Sequence, residues 1–113
     1  MARYLIAVHH PDGYDPAKRE DGAMRRAIDA LNEEMVQAGI VLFVGGLKPP
    51  AEAQSIRAAD EGAFAIRNEP YLGGEEHVAG FWVVEAPDSA VACAWGRKAA
   101  IACRAGIEVR PFH

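Results

Sequence analysis

The chain has 113 residues, half of them apolar, a formal charge of −4 and an isoelectric point near 5.5. That length is enough for one domain with a real core and too short for two, so residues 1–113 read as a single domain. The acidic balance and the dispersed arginines exclude a basic nucleic-acid surface, no run is long enough to span a membrane, and MARYLIAVHHPD turns polar too soon for a signal peptide. A cytoplasmic protein that binds neither nucleic acid nor membrane is expected.

The first element is RYLIAVH, Arg3 to His9, a strand with apolar residues on both parities. Asp15 and Pro16 form a helix start, a side-chain cap followed by proline at the first helical position. Met24, Ala27, Ile28, Leu31, Met35 and Ala38 then recur at helical spacing until Gly39, with Gly22 weakening the early turns. IVLFVGGL, residues 40–47, is a second strand apolar on both parities, stopped by KPP. QSIRAADEGAFAIRN, residues 54–68, reads as a hairpin turning near Glu61 and Gly62, and EPYLGGEEHVAG, residues 69–80, as a loop.

FWVVEA follows as a strand with aromatics on both parities. Pro87, Asp88 and Ser89 open a second helix, with Val91, Trp95, Ala99 and Ala102 as its apolar stripe and Gly106 as its end. Cys93 and Cys103 fall in this helix, where ten residues of rise place them roughly 15 Å apart, beyond disulfide reach. Both are expected to be small buried hydrophobes in a reducing compartment. IEVRPF closes the chain as a short strand.

The order strand, helix, strand, hairpin, strand, helix, strand predicts an α+β ferredoxin-like sandwich, an antiparallel sheet with two helices on one face and an inserted β-hairpin. A sheet covered on one side should alternate in polarity, yet these strands are apolar on both sides. The helix-free face is therefore expected to pack on a second copy, giving a homodimer.

Several stretches carry a family resemblance. VGGLKPPAEAQSIR and NEPYLGGEEHVAGFWVVEA resemble YCII-related proteins of the DGPF group. Asn68, Glu69, Pro70 and Tyr71 stand at the four naming positions, of which Pro70 matches strictly and Tyr71 is an aromatic replacement. Gly80, Phe81 and Trp82 stand at the glycine and aromatic pair, and Glu108, Val109, Arg110 and Pro111 at the closing E-V-R-P. Gly73, Gly74 and Glu75 depart from the acidic, threonine and lysine pattern that usually follows the naming positions. The resemblance covers most of the chain. It implies a dimeric α+β barrel, and acid–base chemistry through a His and Asp pair; one related protein of chlorinated-aromatic degradation is a dehydrochlorinase.

In a ferredoxin-like order the first strand lies between FWVVEA and IEVRPF, antiparallel to both, so its carboxyl end should meet His77. The stretch HHPDGYD, the glycines Gly45 and Gly46 and the loop before His77 then converge on one rim. His9, His10, Asp12 and His77 are the candidate catalytic residues, because an imidazole can exchange a proton near neutrality and a carboxylate can orient it. Alternation permits only one of His9 and His10 in the cleft, and His9, sharing parity with Leu5 and Ala7, is the preferred one. Asp12, followed by Gly13, equally suits a turn cap.

Tyr71, Gly45, Gly46 and Arg57 are the candidate substrate contacts: Tyr71 as a donor to an oxyanion or as packing, Arg57, with Arg67, as a hold for an anion or as a salt-bridge partner. Glu75 and Glu76 read as a solvated loop face. The functional classes are a small enzyme of isomerase, lyase or dehydrochlorinase type acting on a small molecule, and a non-catalytic module binding a small molecule or a partner. A metal site from His9 or His10, Asp12 and His77 has no supporting spacing motif, so no metal and no cofactor is expected. No phosphate loop, nucleophile elbow or paired-cysteine signature is present.

Overall fold

The computed structural model describes all 113 residues. Four strands, β1 (Ala2–Pro11), β2 (Val41–Gly46), β5 (Glu76–Ala86) and β6 (Gly106–Pro111), form an antiparallel sheet in the order β2-β5-β1-β6. Strands β3 (Ser55–Ala58) and β4 (Phe64–Arg67) pair as a separate hairpin. With three helices, α1 (Pro16–Arg19), α2 (Gly22–Gln37) and α3 (Ser89–Cys103), the chain is an α+β protein of ferredoxin-like type.

The helix read from Asp15 onward is two helices. Asp15 caps α1, accepting from the Ala17 amide at 3.0 Å, and the chain becomes extended at Glu20. Asp21 then caps α2 by accepting from the Met24 amide at 2.8 Å, and Arg104 donates two hydrogen bonds to the same carboxylate. These bonds, the Met24 amide first and Arg104 second, hold the Asp21 carboxyl below its ordinary range.

One face of the sheet is covered. Tyr4, Ile6 and Val8 of β1, Trp82, Val84 and Ala86 of β5, and Leu31 and Met35 of α2 form the core with Ala92, Ala99, Ala102 and Cys103 of α3. The stripe of α3 is rotated from the expected one: Ala92 and Gly96 face inward, and Val91 is exposed. Gly96 permits that close packing, since a Cβ there would lie 2.6 Å from Val109 Cγ2. Cys93 is exposed, contrary to the expectation of burial, whereas Cys103 is buried; neither is bridged.

The other face carries Leu5, Ala7, Phe43, Phe81 and Val83, by the register of the strands. Phe43 and Phe81 meet as a tilted pair with ring centroids 5.7 Å apart, and Phe43 remains 55% exposed. Trp82, at the opposite parity, faces the helices. The hairpin likewise has one apolar face, Ile56, Ala58, Phe64 and Ile66, and its large side chains are exposed.

Candidate cleft between α2 and the β2–β5 edge

Strand β5 does not run as a regular ladder. Val8 pairs with Gly80 but His9 pairs with Val78, so β5 carries one extra residue, Ala79, opposite β1. A bulge of this kind reverses the facing of everything beyond it. Trp82 and Gly80 face the helices, and the bulge returns His77, an odd-numbered residue, to that same face. There it pairs directly with His10, the two ring centroids 6.4 Å apart and nearly perpendicular.

The loop after β1 completes this arrangement. The Asp12 amide donates to the Glu75 carbonyl at 2.7 Å, tying the turn to the start of β5. Asp12 Oδ1 then lies 3.1 Å from His77 Nδ1. With the proton on Nδ1, the ring donates to Asp12 and leaves Nε2 free to accept. The His77 side chain is mostly buried and the Asp12 side chain mostly exposed, so the pair lies at the surface of the site.

His10 stands deeper. Its ring stacks on Tyr14 at a centroid distance of 3.7 Å, and the Tyr14 hydroxyl donates to Glu20 Oε2 at 2.9 Å. Burial lowers the His10 pKa from its ordinary value of 6.5, outweighing the upward pull of Glu20; His77 adds a smaller lowering effect. Burial, then the bond to Glu20, pushes the Tyr14 hydroxyl up to about 12, so it remains a donor. Cys103 is pushed up to about 11, chiefly by burial and secondly by Glu20, which keeps it a thiol.

Two adjoining cavities meet at His10, Glu20 and Ala79. The inner one, about 290 Å³, lies between α2 and the β2–β5 edge and is mainly apolar, with Val8, Met24, Ile28, Val44 and Trp82 in its wall. Asn32 accepts a 2.8 Å hydrogen bond from the Trp82 indole there. Gly45, Gly46 and Gly80 bring two backbones together in the same wall; a Cβ on Gly80 would lie 2.9 Å from the Gly45 carbonyl oxygen. The outer cavity, about 240 Å³, is lined by Tyr14, His77, Lys48 and the prolines Pro16, Pro49 and Pro50.

The expected site residues therefore separate. His10, His77, Asp12, Gly45 and Gly46 come together. His9 does not join them: it pairs with Val78 and Gly106 at the parity of Leu5 and Ala7, which is the open face. Arg57 and Tyr71 bind each other instead of lining the cleft, the guanidinium donating to the Tyr71 carbonyl at 2.7 Å and stacking 3.9 Å from its ring centre. Arg67 lies 3.5 Å from Glu69. No three His, Cys, Asp or Glu side chains converge closely enough to hold a metal ion. Glu20 and Asn32 are cleft residues that the sequence reading passed over.

The chain matches the YCII-related domain over residues 1–112. It belongs to the YCII-related family. No curated protein matches it. The YCII-related domain thus spans both the sheet and the inserted hairpin, and no helix is long and apolar enough to cross a membrane.

Proposed function

We propose that this YCII-related protein is a small acid–base enzyme, of isomerase, lyase or dehydrochlorinase type, acting on a small organic molecule in the cleft. The observation that carries the reading is the pairing of two imidazoles at the cleft, His77 bonded to Asp12 at 3.1 Å and His10 6.4 Å from His77. His10, kept neutral by burial, is the base that removes a proton from a substrate in the inner cavity. His77, whose ring Asp12 orients through Nδ1, presents Nε2 as the second site of proton exchange, which takes up a proton and returns it to the product or to a leaving group. The cleft, walled off from the sheet's open face, supplies orientation.

The test is hydrogen–deuterium exchange and elimination by a panel of small carbonyl and halogenated compounds, followed by NMR. One or more should be turned over, with His10→Ala losing on the order of 100-fold and His9→Ala staying near wild type. Compounds that bind the cleft without any turnover would replace the enzyme by a binding module, a reading that the apolar inner wall also favours.

The chain's place near the DGPF group is part of the same reading, supported by Pro70 and by the closing E-V-R-P. Self-association through the open face is supported by its continuous apolar residues, Leu5, Phe43, Phe81 and Val83, with no helix over them. A cytoplasmic setting accords with two unbridged cysteines.

A further inference from the structure

Charge is unevenly distributed around the cleft. Glu20 stands where the inner and outer cavities meet, and its one side-chain partner is the Tyr14 hydroxyl at 2.9 Å. No cation pairs with it. Lys48, in the outer cavity, is oriented toward Glu52 at 3.9 Å, and both side chains are well exposed. Arg19 is near enough to influence Tyr14 but forms no ion pair, and Arg104 is held by Asp21. On the sheet side, burial lowers the His10 pKa, which disfavours its charged form, and His77 is engaged with Asp12. The Asn32 amide, its oxygen taken by the Trp82 indole, adds no charge.

The cleft thus offers an apolar wall and, at its mouth, a carboxylate without a counter-ion. An anion entering it would face the like charge of Glu20, whereas a protonated nitrogen would gain a charge-assisted hydrogen bond. At about 290 Å³ the inner cavity is near the lower end of small-molecule sites, the size of a single ring with a short substituent. We propose that the cleft takes a small organic amine, its ring-sized apolar body resting on Val8, Met24, Ile28 and Trp82 and its protonated nitrogen donating to Glu20. The assignment rests on the cleft being the ligand site; it adds the charge of the ligand.

Three probes of nearly equal shape separate the cases: benzylamine, benzyl alcohol and benzoate, titrated at neutral pH into the full chain while the Trp82 indole N–H is followed by NMR. Benzylamine should shift that signal and bind roughly tenfold or more tightly than benzoate, with benzyl alcohol between them. Glu20→Gln should bring the three within roughly twofold. Gly46→Leu should abolish the shift, because Gly46 lines the cleft and a Cβ there meets nothing within 4 Å, so the added side chain competes with the probe for that space. Benzoate binding as tightly as benzylamine, or a preference that survives Glu20→Gln, overturns the amine assignment and leaves the cleft standing. No Trp82 shift with any probe, or a shift that survives Gly46→Leu, overturns the cleft as ligand site and the amine assignment with it.

Discussion

The two faces of the four-stranded sheet are built from the same strands and carry different things. The helix face holds the core and, between α2 and the β2–β5 edge, the cleft with His10, His77 and Glu20. The open face holds Leu5, Ala7, Phe43, Phe81 and Val83, and with them His9. The proposed chemistry and the proposed association are thus divided by strand parity, one residue apart in β1 and again in β5. Neighbouring positions such as His9 and His10, or Phe81 and Trp82, should respond oppositely to substitution.

The largest difference is expected at the aromatic pair. Trp82 is 4% exposed and its indole donates to Asn32. Trp82→Ala should cost about 3–5 kcal/mol in urea unfolding, from lost packing and an unpaired Asn32. Phe81→Ala should cost roughly 1 kcal/mol when both variants are unfolded at a concentration where the chain is monomeric, since its ring lies on the open face. Comparable losses at both positions would mean that parity does not divide the sheet this way.

Association should reverse the ranking. Phe81→Glu puts a charge among the apolar residues of the open face and is expected to shift sedimentation from dimer to monomer at micromolar concentration while the folded spectrum persists. A wild-type monomer at that concentration would remove the proposed role of the face.

A smaller effect is expected in pH dependence. An imidazole held below its ordinary 6.5 in the folded chain binds fewer protons than in the unfolded chain. It therefore adds no pH dependence well above 6.5, and stability falls as pH drops below 6.5 until the folded-state titration is reached. His10→Gln should flatten that acid-side decline in a series of urea melts, and His9→Gln should leave it closer to wild type. The smallest effect belongs to Arg57, occupied with Tyr71 outside the cleft. Arg57→Ala should change probe affinity by less than roughly twofold, and a large loss would return Arg57 to the site.

Much of this division was legible in the sequence, and the missed parts have physical causes. Strand order followed from the alternation of elements and the short connections, so His77 was placed near the end of β1 correctly. The doubly apolar strands marked a second apolar face. The identity of the inward histidine was not legible from the open-face parity of Leu5 and Ala7, because both parities of β1 are apolar; only the packing of Tyr4, Ile6 and Val8 under the helices assigns His10 to the cleft.

Residues 69–80 read as loop by Pro70 and the glycines Gly73, Gly74 and Gly80, whereas β5 already begins at Glu76 and Gly80 sits within it, where the Gly45 backbone approaches too closely for a Cβ. The bulge at Ala79 that aims His77 inward has no local sequence mark. Asp12 was legible as an orienting carboxylate, but its partner was fixed by the amide bond to Glu75 across the sheet edge. Glu20 was hidden by reading one helix where Asp21 provides a second cap, for the break between α1 and α2 is what brings this carboxylate to Tyr14 and His10. Arg57 and Tyr71 suggested anion binding as residue types, and the contact with Tyr71 occupies the guanidinium.

The most direct measurement of the central division is a crystallographic soak of small ring-bearing amines into the protein. Density is expected between α2 and the β2–β5 edge, in contact with His10, Glu20 and Trp82. Density confined to the open face beside His9 and Phe81, or to the hairpin beside Arg57, would contradict it.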